Sequence, residues 1–336
     1  MTPLRGGVIG CGFFAQFHLD AWRRMPDAEI VCACDPDLER AAQAAPRTYA
    51  SVAEMFRNER LDFVDIATRP ETHRDLVEEA ASHGVAVICQ KPLAPTWVEA
   101  VATVKAAEAA GIPFMVHENW RWQPWYREVG KRIAAGDIGA PVTYRFRIRK
   151  RDGHGDAPYA AQPYFRRMPR LLIYETMVHP LDTARFLFGD IERVMASGAK
   201  RNPVIVGEDF VQILVRHASG LDGIADGHRF TDLAPDSPPL GDASFEGDAG
   251  VLEVLPTGDL RLNGRLIHEN RCSDGYRGDS VRATQQNFID GLLGRSRFET
   301  GGRDYLGTVA AVEAGYLSMA RGAAVNLSEL VSQIGQ

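Results

Sequence analysis

The chain has 336 residues, of which 45% are hydrophobic and 24% charged, as expected of a globular protein with two domains. Its formal net charge of −6 gives no general attraction for nucleic acid or for an anionic membrane, so neither is an expected partner. No apolar run approaches the roughly 20 residues that span a bilayer, and no signal-peptide pattern opens the chain. We therefore expect a cytoplasmic protein.

Five cysteines occur along the chain, and an odd number argues against a disulfide framework. Cys32 and Cys34 lie two residues apart on a predicted strand and so point to the same face. Such a pair could bind a metal ion, but packing as small buried hydrophobic side chains is the favoured interpretation. No metal site is predicted.

The first 120 residues alternate between short apolar runs and helical patterns. Ser51 with Glu54, and Thr96 with Glu99, have the spacing of a capping box, which marks the start of a helix. Continuous apolar strands that alternate with helices predict a parallel sheet covered on both faces. The predicted strands are residues 4–9, 28–34, 61–67, 85–89 and 112–116.

Beyond residue 120 the pattern changes. Residues 142–151 alternate strictly between apolar and polar side chains, which is typical of a strand with one exposed face in an antiparallel sheet. Arg145, Arg147 and Arg149 lie on the polar side, and we interpret this face as paired with acids, either in solvent or at a subunit contact. Further strands are predicted at 193–199, 210–216, 221–228 and 250–255, a hairpin at Asn263-Gly264, and helices at 280–293 and 303–321.

Together these patterns predict an α/β protein. A doubly wound parallel sheet of the Rossmann type is expected over residues 1–120, and an α+β domain with an open, largely antiparallel sheet over residues 121–336. We expect the second domain to bind substrate and to form subunit contacts. An open sheet face is usually covered by a partner, so a homodimer or homotetramer is expected.

The turn after the first strand, Gly10-Cys11-Gly12-Phe13-Phe14-Ala15, reads G-x-G-x-x-A. The glycines permit a tight turn and a close approach of a pyrophosphate, which the N-terminus of the following helix attracts. Asp35 follows the second strand, where a carboxylate accepts hydrogen bonds from a ribose and repels a 2′-phosphate. The pattern therefore favours NAD as cofactor. Arg40 lies near Asp35, so NADP is not excluded.

Four motifs, in this order, are similar to those of one oxidoreductase family: VIGCGFFAQFHLDAW, IATRPETHRDLVEEAASHGVAVICQKPLAPT, HENWRWQPWY and LLIYETMVHPLDTARFLFGD. The chain resembles the glucose–fructose oxidoreductase and inositol dehydrogenase family, also called Gfo/Idh/MocA, over nearly its whole length. The stretch YFRRMPRLLIYETMVHPLDTARFLFG resembles bacterial aldose dehydrogenases of the D-apiose type.

The resemblance implies a set of cofactor-binding residues. The pyrophosphate would be held by Gly10, Gly12, Phe13 and Phe14, and the adenosine ribose by Asp35. Thr68 and His73 would lie along the cofactor, and Gln90 and Lys91 occupy the place of the family's Glu-Lys-Pro.

The resemblance also implies catalytic roles. Lys91 would polarise the substrate hydroxyl, His179 would take its proton, and Glu175 would support His179 from four residues earlier. From the residues alone, a surface pair on a helix is favoured over catalysis for Glu175 and His179. These two with Asp182 could be metal ligands, but no further residue completes a convincing set.

Two positions depart from the family pattern. Gln90 stands where a glutamate is usual, which removes a negative charge beside Lys91. Pro180 directly follows His179, and a proline inside a helix either kinks it or marks its start. The second departure leaves the relative geometry of Glu175 and His179 open.

Several aromatic and basic side chains are candidates to select the substrate. Aromatic faces stack on the C–H surfaces of sugars, and arginine donates to hydroxyl groups. With the catalytic residues Lys91, Glu175 and His179, the predicted substrate-binding set contains Trp120, Arg121, Tyr164 and Arg170.

The sequence thus predicts an NAD-dependent dehydrogenase that oxidises a hydroxyl group of a sugar or cyclic polyol. Two alternatives stay open. One is an NAD-dependent glycoside hydrolase that oxidises its substrate transiently and releases no NADH. The other is a dinucleotide-binding sensor without turnover, which the presence of both Lys91 and His179 disfavours.

Overall fold

The computed structural model describes residues 2–234, 236–272 and 274–332. The chain divides into two compact units. The first contains the residues up to 119 together with 274–306, and the second contains the remainder. The assignment of cofactor binding to residues 1–120 and of substrate binding to 121–336 stays a prediction.

Within its described residues, the first unit contains a six-stranded parallel sheet. The strands are β1 (Leu4–Ile9), β2 (Ala28–Cys34), β3 (Arg47–Tyr49), β4 (Phe63–Ile66), β5 (Ala86–Gln90) and β6 (Phe114–His117). Their order is β3-β2-β1-β4-β5-β6, so the direction of winding reverses between β1 and β4. Ligands of open α/β sheets bind at the carboxyl ends of the strands beside such a reversal. The predicted doubly wound sheet is confirmed.

Two of the connecting helices begin at side-chain caps that the sequence predicted. Ser51 Oγ accepts a hydrogen bond from the N–H of Glu54 at 3.3 Å, and Thr96 Oγ1 accepts one from the N–H of Glu99 at 3.2 Å. Ser51 and Thr96 therefore cap their helices at the positions that the predicted capping boxes indicated, and each satisfies a helical N–H that has no partner within its helix. The helices are α1 (Ala15–Arg23), α2 (Leu38–Ala44), α3 (Val52–Asn58), α4 (His73–Ser82) and α5 (Trp97–Ala109).

The second unit contains, among its described residues, a nine-stranded sheet. The strands are β7 (Pro141–Arg149), β8 (Ile191–Ala199), β9 (Phe210–His217), β10 (Asp222–His228), β11 (Gly241–Gly247), β12 (Val251–Val254), β13 (Leu260–Leu262), β14 (Arg265–His268) and β15 (Val325–Asn326). Their order is β14-β13-β12-β11-β7-β10-β9-β8-β15. The pairing of β10 with β7 is parallel and the others are antiparallel, which confirms the predicted open, largely antiparallel sheet.

The strict alternation along β7 is present in the structure. Tyr144, Phe146 and Ile148 are buried on one side of the sheet, whereas Val142 at the start of the strand is 59% exposed. On the other side, Arg145 and Arg149 pair with Asp226, and Arg147 pairs with Asp242. The arginine face is therefore paired with acids, as its charge pattern indicated.

Two helices of the second unit contain or adjoin its candidate site residues. They are α6 (Pro124–Ala134) and α7 (Val178–Phe188), and a π-helix over Leu172–Met177 leads directly into α7. Pro180 is the third residue of α7. Because proline has no N–H, Pro180 cannot donate the α-helical hydrogen bond to the carbonyl oxygen four residues earlier. The turn that precedes it is a wider π turn.

Residues 274–306 pack with the first unit, although the sequence pattern groups them with residues 121–336. Helix α8 (Ser280–Leu292) supplies Phe288 and Ile289 to the same buried cluster as Trp22 and Phe63. The division between the units passes through the next helix, α9 (Gly302–Arg321), and a short α10 (Ser328–Val331) follows β15. Among the described residues, no helix combines the length and apolar character that crossing a membrane requires.

The cysteines of the described chain are free thiols. Cys32 and Cys34 are buried, in agreement with their interpretation as small hydrophobic side chains. Burial raises the pKa of the Cys32 thiol to about 12 and that of Cys34 to about 11. No group of three or more His, Cys, Asp and Glu side chains in the described residues is arranged to hold a metal ion.

Candidate active site

The turn between β1 and α1 has the shape that a pyrophosphate requires. Gly10 has a φ of +90°, and a Cβ there would lie 2.6 Å from Cγ2 of Thr68. A Cβ on Gly12 would meet no atom within 4 Å, so open space lies in front of this residue. No side chain caps the start of α1 at Phe14. An uncapped helix N-terminus beside open space fits a bound phosphate group.

Asp35 is oriented by two backbone groups at the end of β2. Its Oδ2 accepts a hydrogen bond from the N–H of Cys11 at 2.8 Å, and its Oδ1 accepts one from the N–H of Asp37 at 2.9 Å. Burial and then the charge of Asp35 raise the pKa of the Cys11 thiol to about 12. The carboxylate is thus held beside the phosphate turn, where the fingerprint requires a partner for a ribose. These residues fit NAD.

The two phenylalanines of the turn have different surroundings. Phe13 is 48% exposed, whereas the ring of Phe14 packs edge to face with Tyr276 at 5.3 Å between centroids. Tyr276 also packs against Phe17 in α1. Phe14 therefore anchors the turn, and Phe13 offers an exposed side chain next to Gly12.

His73, which the resemblance predicts to lie along the cofactor, is fully buried. Its Nδ1 is 3.0 Å from the carbonyl oxygen of Leu93, and its Nε2 is 3.2 Å from that of Thr68. Burial lowers the pKa of His73, and a neutral imidazole donates only one hydrogen bond at a time. His73 thus lies between the loop after β4 and the loop after β5 and donates to one of the two carbonyl groups.

Gln90 and Lys91 lie at the carboxyl end of β5. Gln90 is 6% exposed, and its Oε1 accepts a hydrogen bond from the backbone N–H of Lys91 at 2.7 Å. Its Nε2 is 2.9 Å from Nε2 of His18, whose other ring nitrogen is 2.8 Å from Asp65. The sequence reasoning missed His18 and Asp65. A lone acid within the apolar strand FVDI was the signal that could have identified Asp65.

In the second unit, His179 lies in the first turn of α7 and is 7% exposed. Its ring is stacked on the indole of Trp120, with centroids 4.7 Å apart and planes 4° from parallel. The carbonyl oxygen of His179 accepts a hydrogen bond from Oγ1 of Thr183 at 2.9 Å. The face of the imidazole is therefore held by Trp120, and the backbone carbonyl of His179 is held by Thr183 within α7.

Trp120 and Arg121 contact protein groups as well as being predicted to bind substrate. Trp120 is 1% exposed, and Arg121 forms two hydrogen bonds of 2.7 Å with the carboxylate of Asp182. Asp182 is fully buried and also accepts a hydrogen bond from Oγ1 of Thr308 at 2.9 Å. Asp182, considered from sequence as a metal ligand, is here an ion-pair partner.

Glu175 is half-buried within the π-helix, four residues before His179. The expectation that both residues share one face assumed continuous α-helical geometry. The π turn changes the angular offset between positions, so the α-helical spacing rule does not transfer to this pair. The role of Glu175 stays a prediction.

A buried carboxylate that the sequence reasoning missed anchors the π-helix. Glu208 accepts hydrogen bonds from the backbone N–H groups of Leu171 and Ile173 at 3.3 and 3.0 Å. It also accepts one of 2.6 Å from the hydroxyl of Tyr316. Burial and the charge of Glu208 raise the pKa of Tyr316, which keeps this hydroxyl a donor.

Tyr164 and Arg170 precede the π-helix. Tyr164 is 40% exposed in a 3-10 turn over Pro163–Arg167. The guanidinium of Arg170 lies 4.1 Å from the ring centroid of Tyr316 and 2.7 Å from the carboxylate of Glu313. Their predicted contact with substrate stays a prediction.

Comparison with known proteins bears on the whole chain. Residues 4–118 match the model of the GFO/IDH/MocA oxidoreductase family with an NAD-binding Rossmann fold, and residues 126–240 match the C-terminal domain of the same family. The chain belongs to the GFO/IDH/MocA family. The predicted family, the oxidoreductase class and NAD as cofactor are thereby confirmed.

Relatives of this GFO/IDH/MocA member include two D-apiose dehydrogenases. The protein from Paraburkholderia graminis is 40% identical over 98% of this chain and 91% of its own length. That from Rhizobium rhizogenes is 36% identical over 98% of this chain and 99% of its own length. A crystal structure of an oxidoreductase from Agrobacterium radiobacter, in complex with NAD+, L-tartaric acid and magnesium, has a TM-score of 0.91 and 36% identity and covers 98% of this chain and 100% of its own.

Proposed function

We propose that this chain oxidises a hydroxyl group of a small sugar, with D-apiose as the first candidate, and that NAD takes up the hydride. The observation that carries the proposal is the similarity to two D-apiose dehydrogenases over 98% of the chain. An intact phosphate turn, an oriented Asp35, and the presence of both Lys91 and His179 support it.

Lys91 is the group that stabilises negative charge on the substrate oxygen. It is half-buried and directly follows β5, at the edge of a parallel sheet where ligands bind. An ammonium group there donates to the substrate hydroxyl and favours the alkoxide that develops as hydride leaves. The neighbouring Gln90 is neutral, so no carboxylate at that position offsets the charge of Lys91.

His179 is the base that takes the hydroxyl proton onto a ring nitrogen. The ring stack with Trp120 restricts its orientation. The face of an indole also attracts a cation, so the same contact stabilises the imidazolium that forms. Glu175 supports this step from the preceding π-helix.

The remaining proposed substrate residues divide into two groups. Trp120 and Arg121 are buried and contact His179 and Asp182, so they act mainly by shaping the wall around the base. Tyr164 is 40% exposed and Arg170 has a partly exposed side chain, so these two are the better candidates for direct contact with a sugar.

We further propose that the protein is a cytoplasmic homodimer or homotetramer that associates through the large sheet. Met195 on β8 and Leu214 on β9 are register partners and are 47% and 51% exposed. Large exposed apolar side chains on a sheet face are typical of a protein interface. Light scattering on the purified protein measures the mass, and a monomer at micromolar concentration would contradict this part of the proposal.

The function is tested by the appearance of NADH when the purified protein is mixed with NAD and D-apiose, other aldoses, inositols or aldonates, and again with NADP. His179→Ala and Lys91→Met are each expected to lower turnover by at least about 100-fold while NAD still raises the thermal stability. His83→Ala, directly after α4, and Lys105→Met, on α5, serve as matched controls at exposed positions.

An unimpaired His179→Ala or Lys91→Met variant would exclude the proposed roles. A wild-type protein that binds NAD, hydrolyses a glycoside and releases no NADH would favour the glycoside hydrolase alternative. Binding of NAD without any turnover on the whole panel would favour the sensor.

A further inference from the structure

A chain of buried polar side chains runs beneath the backbone of Lys91. Gln90 links the N–H of Lys91, at 2.7 Å, to Nε2 of His18, at 2.9 Å. Nδ1 of His18 is 2.8 Å from Oδ2 of Asp65, which also accepts a hydrogen bond of 2.7 Å from the indole N–H of Trp22. The four side chains are each at most 6% exposed, so water does not compete for these bonds.

The direction of every bond in this chain follows from chemistry. A backbone N–H only donates, so the oxygen of the Gln90 amide faces Lys91 and its NH2 group faces His18. Nε2 of His18 must then accept, which leaves its single proton on Nδ1. That proton is donated to the carboxylate of Asp65. All of these hydrogen bonds form together only when His18 is neutral and carries its proton on Nδ1.

We propose that Gln90 is a positioning residue for Lys91 and that this role requires neutral His18 with its proton on Nδ1. The proposal rests on the catalytic role proposed above for Lys91. Gln90 is joined through its own side chain to the backbone of the next residue, and through His18 to Asp65 in the neighbouring strand β4. The start of the Lys91 segment is thereby tied to the centre of the sheet.

Two of the groups that face His18, Gln90 and His117, favour a neutral ring, whereas the carboxylate of Asp65 favours a charged one. Asp65 on β4 accepts from Nδ1, and Gln90 on β5 donates to Nε2. From β6, the ring of His117 stacks on His18 with centroids 4.0 Å apart, and Gln285 of α8 donates to the carbonyl oxygen of His18. A second proton on His18 would face the NH2 group of Gln90 and lie against a buried imidazole, and both are unfavourable.

A carboxylate in place of the Gln90 amide would reverse one bond. Glutamate at this position still accepts from the N–H of Lys91, but it faces the lone pair on Nε2 of His18. The repulsion is relieved when this bond holds one further proton, and with that proton on its ring His18 lies between two carboxylates. Gln90→Glu therefore makes the position of Lys91 depend on the protonation of His18, whereas Gln90→Met removes both hydrogen bonds at similar length.

The kinetic test compares these two variants over pH. In Gln90→Met, kcat is expected to fall by about 10-fold or more at every pH because Lys91 loses its anchor, with a smaller change in KM for NAD. In Gln90→Glu, kcat is expected to approach the wild-type value at acidic pH and to fall as pH rises and His18 loses its second proton. A role in folding alone would lower stability without moving the pH profile.

Thr103→Val is the matched control, because Thr103 is buried in the same unit and its hydroxyl donates within its own helix. Its stability is expected to fall with little change in kcat. Equal pH profiles for wild type and Gln90→Glu, or a folded Gln90→Met with wild-type kcat, would overturn the proposal.

A second measurement needs no turnover and so separates this inference from the proposed function. Nitrogen-15 NMR of labelled histidine is expected to show His18 protonated on Nδ1 alone in the wild type and on both nitrogens in Gln90→Glu at acidic pH. The amide hydrogen of Lys91 is expected to exchange at least about 10-fold faster in Gln90→Met. If both results hold while Lys91→Met stays active, the network stands and the catalytic role of Lys91 fails. A wild-type His18 protonated on Nε2 would refute the network itself.

Discussion

The indole of Trp120 lies parallel to the imidazole of His179, at 4.7 Å between ring centroids. The next residue, Arg121, forms a two-pronged ion pair with Asp182, three residues beyond His179. The 3-10 turn over Trp120–Trp122 is thus joined to the start of α7 by a ring stack and an ion pair. This joint restricts the orientation of the proposed base.

Loss of the flat face at Trp120 should therefore impair turnover. In Trp120→Leu, kcat is expected to fall by about 10-fold because the imidazole of His179 gains freedom, whereas Trp120→Phe keeps an aromatic face and most of the activity. Steady-state kinetics on the folded protein measures both. The control is Trp97→Leu, a buried tryptophan of α5. If Trp120→Leu and Trp97→Leu lose stability alike and neither loses kcat, the stack is structural only.

The anchoring of the π-helix by Glu208 is testable by stability. Glu208→Gln is expected to lower the free energy of unfolding by about 1–3 kcal/mol, because an amide replaces a charged acceptor of three hydrogen bonds. Tyr316→Phe should give a smaller loss, since the carboxylate of Glu208 keeps two of its three donors and only the N–H of Tyr174 loses an acceptor. Chemical denaturation measures both variants.

The partly exposed ion pair between Arg170 and Glu313 provides the comparison for Glu208, and Glu313→Gln is expected to change the free energy of unfolding by less than about 1 kcal/mol. A Glu208→Gln variant as stable as Glu313→Gln would show that Glu208 does not hold the segment.

The choice of cofactor should depend on Asp35. Asp35→Ala is expected to raise KM for NAD by about 10- to 100-fold, since a charged acceptor of hydrogen bonds is lost, and to raise KM for NADP less or lower it. Asp37→Ala is the control, because Asp37 caps α2 by accepting from the N–H groups of Glu39 and Arg40. It should lower stability by about 0.5–2 kcal/mol and leave the preference for NAD unchanged. Equal preferences in both variants would count against the role of Asp35.

Buried histidines should make the protein less stable in acid. Burial lowers the pKa of His117 well below 6.5, so the unfolded chain binds a proton that the folded chain does not. Above the pKa that His117 has in the unfolded chain, this group does not destabilise the fold. As pH falls below that pKa, the free energy of unfolding decreases by up to about 1.4 kcal/mol per pH unit. The free energy of unfolding between pH 5 and 7, measured in urea, is expected to show this slope.

His117→Phe removes that titration and keeps a ring to stack on His18, and neither ring nitrogen of His117 has a hydrogen bond to a described residue. The variant should be at least as stable at neutral pH and should show a shallower dependence on pH in acid. An unchanged slope would mean that other groups, such as the buried His73, account for the acid sensitivity.

Much of the fold could be predicted because its signals are local. The apolar runs of the first unit, the capping boxes at Ser51 and Thr96, and the glycine turn at Gly10 each depend on residues a few positions apart. The same is true of the alternation along β7 and of the turn at Asn263 between β13 and β14. Local patterns of this kind determine element type and sheet class.

The contacts of the candidate site could not be predicted in this way. His18 and Gln90 are 72 positions apart, and His18 and Asp65 are 47 positions apart. Nothing in the local sequence of Glu208 indicates that it accepts hydrogen bonds from Leu171 and Ile173. The π turn before Pro180 also depends on such distant anchors.

The sequence by itself determined the parallel and antiparallel sheets, the phosphate turn with Asp35, and the candidate residues Lys91 and His179. Only the tertiary structure decided that residues 274–306 pack with the first unit, that Trp120 stacks on His179, and that Gln90 joins Lys91 to the His18–Asp65 pair. The physical reason is the distance along the chain over which each signal acts, because backbone propensity and periodicity depend on residues only a few positions apart. Buried polar groups instead take whichever partner the fold brings within about 3 Å.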